Sequence, residues 1–458
     1  MSEKSKNDAT IGFEEKIWQA ADILRGNMDP DEHKHIVLGF IFLKYISDRF
    51  EDRFIELLVY DEDIDDKSAY KEVNVFYVPE DARWSLILDA KHKEAIGIVI
   101  DDVMRAIERE NPRLKGVLPK NYANADLDKR GLSNVVDVFS NVRKMEYENG
   151  QDILGRAYEY CLSKFAEKEG KNEGEFYTPS CIAQTLVAVL QPFDGRIYDP
   201  CCGYGSMFIQ YAYFIESIDG DIDNLSLFGQ EVNATTRKIA IMNLAISGIE
   251  ANLGPSNADI FNNDLHKKLK ADFILANPPF NMSAWNGGLL DEDARFKYGM
   301  PPEDNANFAW LSHMIHHLST NGKIGIVLDN SSLSSQTKGE GEIRENIIED
   351  DLVEGIVAMP SQLFHSTQIP VCLWFLNRNK SQKGKTIFID ARKMGQMVTS
   401  SLKEITLEDI GKIAEAFLEF EEGVLEDEKG FCAVVSTEDI KKNDYILTPE
   451  LYVGVEEL

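Results

Sequence analysis

Asp272-Phe273-Ile274-Leu275-Ala276-Asn277-Pro278-Pro279-Phe280-Asn281 is the stretch on which the fold turns. Its apolar run, bounded by turn residues, has the pattern of a strand buried on both faces. The two prolines stop any ladder there, because neither has a backbone N–H to give. A rigid loop at a strand's carboxyl end is where open α/β sheets bind ligands. Asn277 offers an amide oxygen, Pro278 and Pro279 stiffen the backbone carbonyls, and Phe280 offers an exposed aromatic face. Those parts suit the exocyclic amine of a planar base. A proline-terminated strand with Phe280 in the core accounts for the same residues, so the surrounding chain has to decide.

Outward from this stretch the chain alternates. Strands are predicted at 196–199, 227–231, 258–261, 272–276, 323–328, 354–358, 371–376 and 386–389. Helical patterns separate most of them, at 206–217, 233–247, 307–319 and 342–349. That alternation predicts an α/β fold with a doubly wound, mostly parallel sheet. Before it, residues 1–150 read as an all-helical domain. Phe13, Ile17, Ala20 and Leu24 fall on one face, and Asp29-Pro30-Asp31 caps a strongly apolar helix. A charged, glycine-containing hinge, 167–174, leads into the α/β region, set at 151–400. The segment 401–458 reads as an acidic helical C-terminal tail. From 403 onward it has five lysines, no arginine and sixteen acidic residues.

The 458 residues carry 78 acidic and 48 basic side chains, a net charge of -30. A protein that grips DNA unaided shows a basic stripe. Nucleic-acid contact here is therefore expected to be local or borrowed from a partner. The excess charge also serves solubility. Six cysteines form no C-x-x-C pair, which speaks against zinc ribbons and thioredoxin chemistry. Reduced thiols and a cytoplasmic protein are expected. The polar start has no apolar signal core. The longest apolar stretch, Ile36 to Ile46, is broken by Gly39 and Lys44 and is too short to span a bilayer.

Asp199-Pro200-Cys201-Cys202-Gly203-Tyr204-Gly205-Ser206 follows the first predicted strand and opens a helix. Gly203 and Gly205 let the backbone turn tightly and approach a ligand. Glu231 ends the next strand, where a carboxylate suits the two hydroxyls of a ribose. A dinucleotide site is disfavoured, because Phe208 stands where a third glycine would be. Asp259, at the end of the third predicted strand, either bonds an adenine amino group or caps a turn.

Glycine turn, ribose acid, adenine acid and Asn-Pro-Pro-Phe thus succeed one another, one per strand. In this order the chain resembles the amino-methyltransferases that use S-adenosyl-L-methionine, and among them the N6-adenine DNA methyltransferases. Closer still, it resembles the methylase (modification) subunit of type I restriction–modification systems, over most of its length. Ile17-Trp18-Gln19-Ala20-Ala21-Asp22-Ile23-Leu24-Arg25-Gly26 and the stretch from Val37 to Phe50 match that family. So does Asn443-Asp444-Tyr445-Ile446-Leu447-Thr448-Pro449. Gly174-Glu175-Phe176-Tyr177-Thr178-Pro179 resembles the motif that precedes the first strand and contacts the cofactor. The family's glycine turn usually reads Ala-Cys-Gly-Thr-Gly-Gly, so Tyr204 and Ser206 are bulkier than usual.

The resemblance implies methyl transfer to N6 of an adenine flipped out of double-stranded DNA. It assigns catalysis to Asn277, Pro278, Pro279 and Phe280. It assigns the cofactor to Glu175, Phe176, Tyr177, Thr178, Pro179, Ser180, Asp199, Gly203, Tyr204, Gly205, Ser206, Glu231 and Asp259. No metal is expected. Phe364, in a loop resembling one near the family's target base, is a second candidate wall for the base, and plain packing explains it comparably well. The implied partners are DNA, a separate specificity subunit clamped by two methylase subunits, and an ATP-dependent restriction subunit. Residues 1–150 would serve subunit contacts and DNA closure, and the tail would meet the specificity subunit.

Other readings are weaker. Pro200-Cys201 resembles the nucleophile of cytosine-C5 methyltransferases, but it sits in the glycine turn and is read as structural. Asn-Pro-Pro-aromatic also occurs in methyltransferases acting on protein glutamines, against which the helical N-terminal match argues. No G-x-x-x-x-G-K-[ST] is present, so this is not the ATP-driven motor. His313, His316 and His317 are read as surface histidines rather than metal ligands. A non-catalytic scaffold on the same fold would bind no cofactor.

Overall fold

The computed structural model describes residues 14–26, 28–141, 153–169, 178–289, 293–364, 369–398 and 402–454. The chain groups into two compact units, Met1–Phe165 with Thr235–Gly248, and Ala166–Ala234 with Ile249–Leu458. The first is helical. Its longest helix, Pro30–Val59, starts as the sequence predicts: the Asp29 carboxylate accepts from the Asp31 N–H at 2.9 Å and Pro30 takes the first helical position. Gly39, which interrupts the apolar run, is explained by a close approach. A Cβ there would lie 2.3 Å from the Pro119 ring. The helix Ala234–Ile246, which sequence alternation gave to the α/β region, belongs to this unit. The Tyr45 hydroxyl donates to the Ile246 carbonyl (3.0 Å) and the Tyr158 hydroxyl to that of Ile239 (3.1 Å).

The second unit is built on β1 (Gly195–Asp199), β2 (Leu225–Gly229), β3 (Ala251–Asn252), β4 (Ala271–Ala276), β5 (Leu318–Asp329), β6 (Val353–Ala358), β7 (Val371–Asn377), β8 (Lys385–Asp390) and β11 (Cys432–Ser436). They form one sheet in the order β11-β8-β6-β7-β5-β4-β1-β2-β3. A separate antiparallel ladder pairs β9 (Gln396–Met397) with β10 (Lys403–Glu404). From β3 to β5 all pairs are parallel, as is β6 with β8; β7 runs against both β5 and β6. The sheet is thus the mostly parallel α/β one expected. The chain steps outward through β1, β2 and β3, then returns to place β4 on the other side of β1. That reversal opens a crevice at the carboxyl ends of β1 and β4, the position where such sheets bind ligands.

Two expectations change. Residues 258–261 form no strand; β3 lies earlier and is two residues long. Local turn bonds capture that segment instead: the Asn263 N–H donates to the Asp259 carbonyl (2.8 Å) and the Phe261 N–H to the Asp259 side chain (2.9 Å). The tail is helical over Leu407–Glu422 and Thr437–Lys442, yet it also supplies β11, which pairs antiparallel with β8 at the sheet edge. No helix among the described residues is long and apolar enough to cross a membrane.

The core lies on β5, β6 and β7, where β7 is buried along its whole length. Trp374 on β7 is fully buried, meets Phe308 edge-on and donates its Nε1–H to Ser332 Oγ at 3.1 Å. Trp374→Ala is expected to destabilise the fold by about 3–5 kcal/mol, measured by chemical denaturation.

Candidate active site

On one side of the crevice β1 ends in Asp199, only 3% exposed. Its carboxylate accepts from the Cys201 N–H at 3.1 Å. Burial pushes its pKa up to about 7, against that N–H, which pulls it down. The glycine turn then folds back on the end of β2. The Gln230 N–H donates to the Asp199 carbonyl (3.1 Å) and the Cys202 N–H to the Gln230 carbonyl (3.0 Å). Glu231 lies just past β2, with one carboxylate oxygen accepting from the Gly203 N–H (3.1 Å) and the other from the Asn233 N–H (2.7 Å). Gly203 and Gly205 have φ of 52° and 79°, the left-handed region that glycine enters without a Cβ penalty. A Cβ built on Gly203 would meet nothing within 4 Å, so its face is open to a ligand. Tyr204 is buried, and Ser206 begins the helix Ser206–Ser217 behind the turn.

The Cys201 thiol is pushed well up by burial, with the Asp199 and Glu231 carboxylates adding to the effect. A thiol held protonated is a poor nucleophile, which agrees with the structural reading of Pro200-Cys201.

On the other side β4 delivers Asn277. Its Nδ2 donates to Thr178 Oγ1 at 3.1 Å, while its Oδ1 is buried with no hydrogen-bond partner among the described residues. An unpaired buried acceptor is costly, so a donor from a bound molecule is the natural complement. Thr178 and Pro179, expected on the cofactor side, precede the helix Ser180–Leu190 and bring Thr178 onto Asn277. Glu175, Phe176 and Tyr177 lie outside the described residues. Phe280 differs from expectation. It is 9% exposed rather than open, and its ring meets that of Phe364 edge-on at 5.7 Å and 89°. Residues 365–368 of that loop lie outside the described residues.

Asp259 sits in a turn, not at a strand end. Besides the Phe261 N–H it accepts from Asn262 Nδ2 at 2.6 Å. It therefore caps the turn it lies in. It is half-buried, with lone pairs to spare.

The sequence reading missed the groups that hold these parts still. Gln230 staples the segment after β3 to the end of β2: its Nε2 donates to the carbonyls of Ala258 (3.0 Å) and Asn263 (2.9 Å), and its Oε1 accepts from the Leu265 N–H (2.9 Å). Asn281, at φ 53°, closes the proline loop. Its N–H donates to Asn307 Oδ1 (3.0 Å), and its Oδ1 accepts from Asn305 (2.9 Å) and Asn307 (3.0 Å). Its Nδ2 bonds Asp329 at the end of β5. The run of asparagines was the only available signal.

The histidine expectation is overturned for two of three. His313 and His317 are 0% exposed and only His316 is half-buried, because nearly every residue of the helix Asn307–His317 is covered. Asp264, His313 and His317 bring ligand atoms within 4.8 Å of one another. All four ring nitrogens of His313 and His317 are already engaged. His317 bonds the Leu269 carbonyl and Asp264, both at 2.9 Å; His313 bonds Arg295 (3.2 Å) and the Tyr198 hydroxyl (3.1 Å). Burial raises the pKa of Asp264, but the His317 bond and the neighbouring imidazoles outweigh it and hold it at about 2. These side chains form a hydrogen-bonded web that Arg295 joins through His313.

Comparison with known proteins gives the class. The N-6 DNA methylase family model matches residues 149–458, and the HsdM N-terminal domain model matches 13–139. The Haemophilus influenzae type I restriction enzyme HindI methylase subunit is 48% identical over 78% of this chain and 83% of its own length. The Methanocaldococcus jannaschii MjaIX methylase subunit is 37% identical over 98% and 85%. A type I restriction–modification methyltransferase subunit from Streptococcus thermophilus superimposes with a TM-score of 0.80 at 25% identity, over 97% of this chain and 99% of that one. Fold and family model together define an N6-adenine DNA methyltransferase. The chain belongs to the methylase subunits of type I restriction–modification systems.

Proposed function

We propose that this chain transfers a methyl group from S-adenosyl-L-methionine to N6 of an adenine flipped out of double-stranded DNA, its target read by a separate specificity subunit. The observation that carries this reading is the unpartnered Asn277 oxygen at the carboxyl end of β4, across the crevice mouth from the buried acid ending β1. Glu231 would hold a ribose, and Asp259 an adenine amino group, of the cofactor. The open face of Gly203 and the charge of Asp199 fit the same molecule. When bound, S-adenosyl-L-methionine supplies an electrophilic methyl group. Asn277 Oδ1 and the Pro278 carbonyl would accept the two N6 hydrogens of the target and aim the nitrogen lone pair. Flipping costs a few kcal/mol, and stacking on Phe280 returns roughly 1–3 kcal/mol. Stacking on Phe280 requires its buried ring to become accessible to the base. Catalysis then rests on orientation and hydrogen bonding.

The net charge of -30 supports borrowed DNA recognition. On this reading the partners are DNA, a specificity subunit shared by two copies of this chain and an ATP-dependent restriction subunit, in the cytoplasm. The helical domain 1–150 serves subunit contact and DNA closure. Domain 151–400 carries the chemistry, and 401–458 meets the specificity subunit.

The test is transfer of labelled methyl to unmethylated DNA by the chain alone and with its specificity subunit. Label in adenine N6 with the partner present supports the reading; label with the chain alone defeats the borrowed recognition, and bound cofactor without label in either case defeats the substrate. A pH effect accompanies it. The cofactor's sulfonium favours ionised Asp199, so binding below about pH 7 must first remove a proton. The dissociation constant should therefore rise by up to roughly tenfold per unit as pH falls below 7 and level off above it, read by calorimetry.

A further inference from the structure

Arg295 lies in the excursion between β4 and β5, far in sequence from every residue assigned to the cofactor. It is 8% exposed and uses its whole fork. Nη1 donates to the Ile260 carbonyl (3.0 Å) and Nη2 to the Phe261 carbonyl (2.6 Å). Nε and Nη2 grip the Asp293 carboxylate (3.0 and 2.7 Å), and Nη1 also donates to His313 Nδ1 (3.2 Å). Ile260 and Phe261 directly follow Asp259. Having left the sheet, their carbonyls have no ladder partner, and buried carbonyls need donors. A planar guanidinium spreads five donors over three nitrogens in a fixed fork and reaches two consecutive carbonyls, a carboxylate and an imidazole here, whereas an ammonium has three donors on a single atom. Burying such a charge is costly and does not by itself stabilise a fold, so its presence asks for a reason.

The helix Asn307–His317 joins this web to the target side. Its first residue, Asn307, holds Asn281 of the proline loop (3.0 Å). Six residues on, His313 takes the Arg295 bond, and His317 ties the helix to Asp264 and Leu269 of the segment after β3. One helix therefore carries the support of both halves of the crevice.

We propose that Arg295 is a positioning residue for the methyl donor: it fixes the Asp259 turn and thereby sets cofactor affinity without touching the cofactor. This rests on the reading of Asp259 as the acid that binds the cofactor's adenine. Arg295 sets the donor side alone, and Asn307, at the other end of the helix, sets the target side.

The experiment uses the full chain with its specificity subunit, and measures KM for S-adenosyl-L-methionine, kcat per active subunit, and calorimetric binding of S-adenosyl-L-methionine. Arg295→Met should raise KM and the dissociation constant roughly tenfold or more with kcat held within about twofold. Arg295→Lys, keeping the charge and one carbonyl bond, should fall between. Asn307→Ala should do the reverse, lowering kcat with KM for the cofactor unchanged. A purely structural role would instead lower the active fraction and leave KM alone. If Arg295→Met does not fold, Arg295→Lys decides. Unchanged cofactor affinity in Arg295→Lys would then overturn the proposal. Asp259→Ala separates the two readings. If it leaves affinity unchanged, the proposal falls together with the reading beneath it. If it weakens binding while both Arg295 variants bind normally, the proposal falls alone.

Discussion

Asn277→Asp is expected to lower methyl transfer by on the order of 10²–10³-fold, the scale on which removal of one preorganised hydrogen-bonding group acts in other enzymes. The cofactor should still bind. The amide does two jobs here. Its Nδ2 donates to Thr178 Oγ1, and its Oδ1, buried and without a partner among the described residues, is left to accept. A carboxylate has no N–H for Thr178, and its charge would be buried beside a site whose other acid, Asp199, already ionises with difficulty. Only the protonated form of that new carboxyl could donate to Thr178 and still turn an acceptor toward the incoming amine, so the variant would have to hold a proton to imitate the amide. Single-turnover transfer from labelled cofactor, with binding measured on the same sample, checks this. Near-wild-type turnover would remove Asn277 from the mechanism.

Glu231→Ala should have the second largest effect, and on a different quantity. The side chain is buried at the end of β2 and receives the N–H groups of Gly203 and Asn233. Losing it removes the acceptor proposed for a ribose and frees the glycine turn that would lie against the cofactor. Hydrogen bonds to charged groups contribute about 1.5–3 kcal/mol each. Loss of even one therefore weakens cofactor binding by roughly 10- to 100-fold, with kcat at saturation much less affected. Calorimetry with S-adenosyl-L-methionine reads it, and an unchanged dissociation constant would unseat Glu231. The two variants separate donor binding from chemistry.

Much of this site could be read in the sequence because its signals are local. Gly203 and Gly205 mark left-handed turns, two prolines end β4, and Glu231 falls at the end of the next strand after the glycine turn. Each depends on backbone preferences carried by a few adjacent residues. The helix 206–217 and the strands around the core were legible for the same reason, since their periodicity is written in consecutive side chains. Asp259 was harder. Its segment has a strand's composition, but Gln230 and Arg295 supply its carbonyls with donors and make a turn possible there.

The histidines show the limit most clearly. The i,i+4 spacing of His313 and His317 says that they share a helix face and nothing about what covers it. Their cover includes Tyr198 of β1 and the segment holding Asp264 and Leu269, both distant in sequence. Phe280 is the same case: its ring meets that of Phe364, far along the chain. The tail's acidic composition gave no hint that Cys432–Ser436 pairs with β8, because an edge strand is chosen by the edge it finds.

The sequence by itself thus determined the order of the candidate groups along the chain: glycine turn, acid, Asn-Pro-Pro-Phe, each at the end of a strand. Only the tertiary structure decided which groups hold that chemistry in place. Arg295, Asn307, Gln230 and the orphaned oxygen of Asn277 acquire their meaning from partners up to a hundred residues away. Short-range signals fix backbone conformation, whereas burial and the pairing of buried polar groups are set by whichever distant surface closes over them.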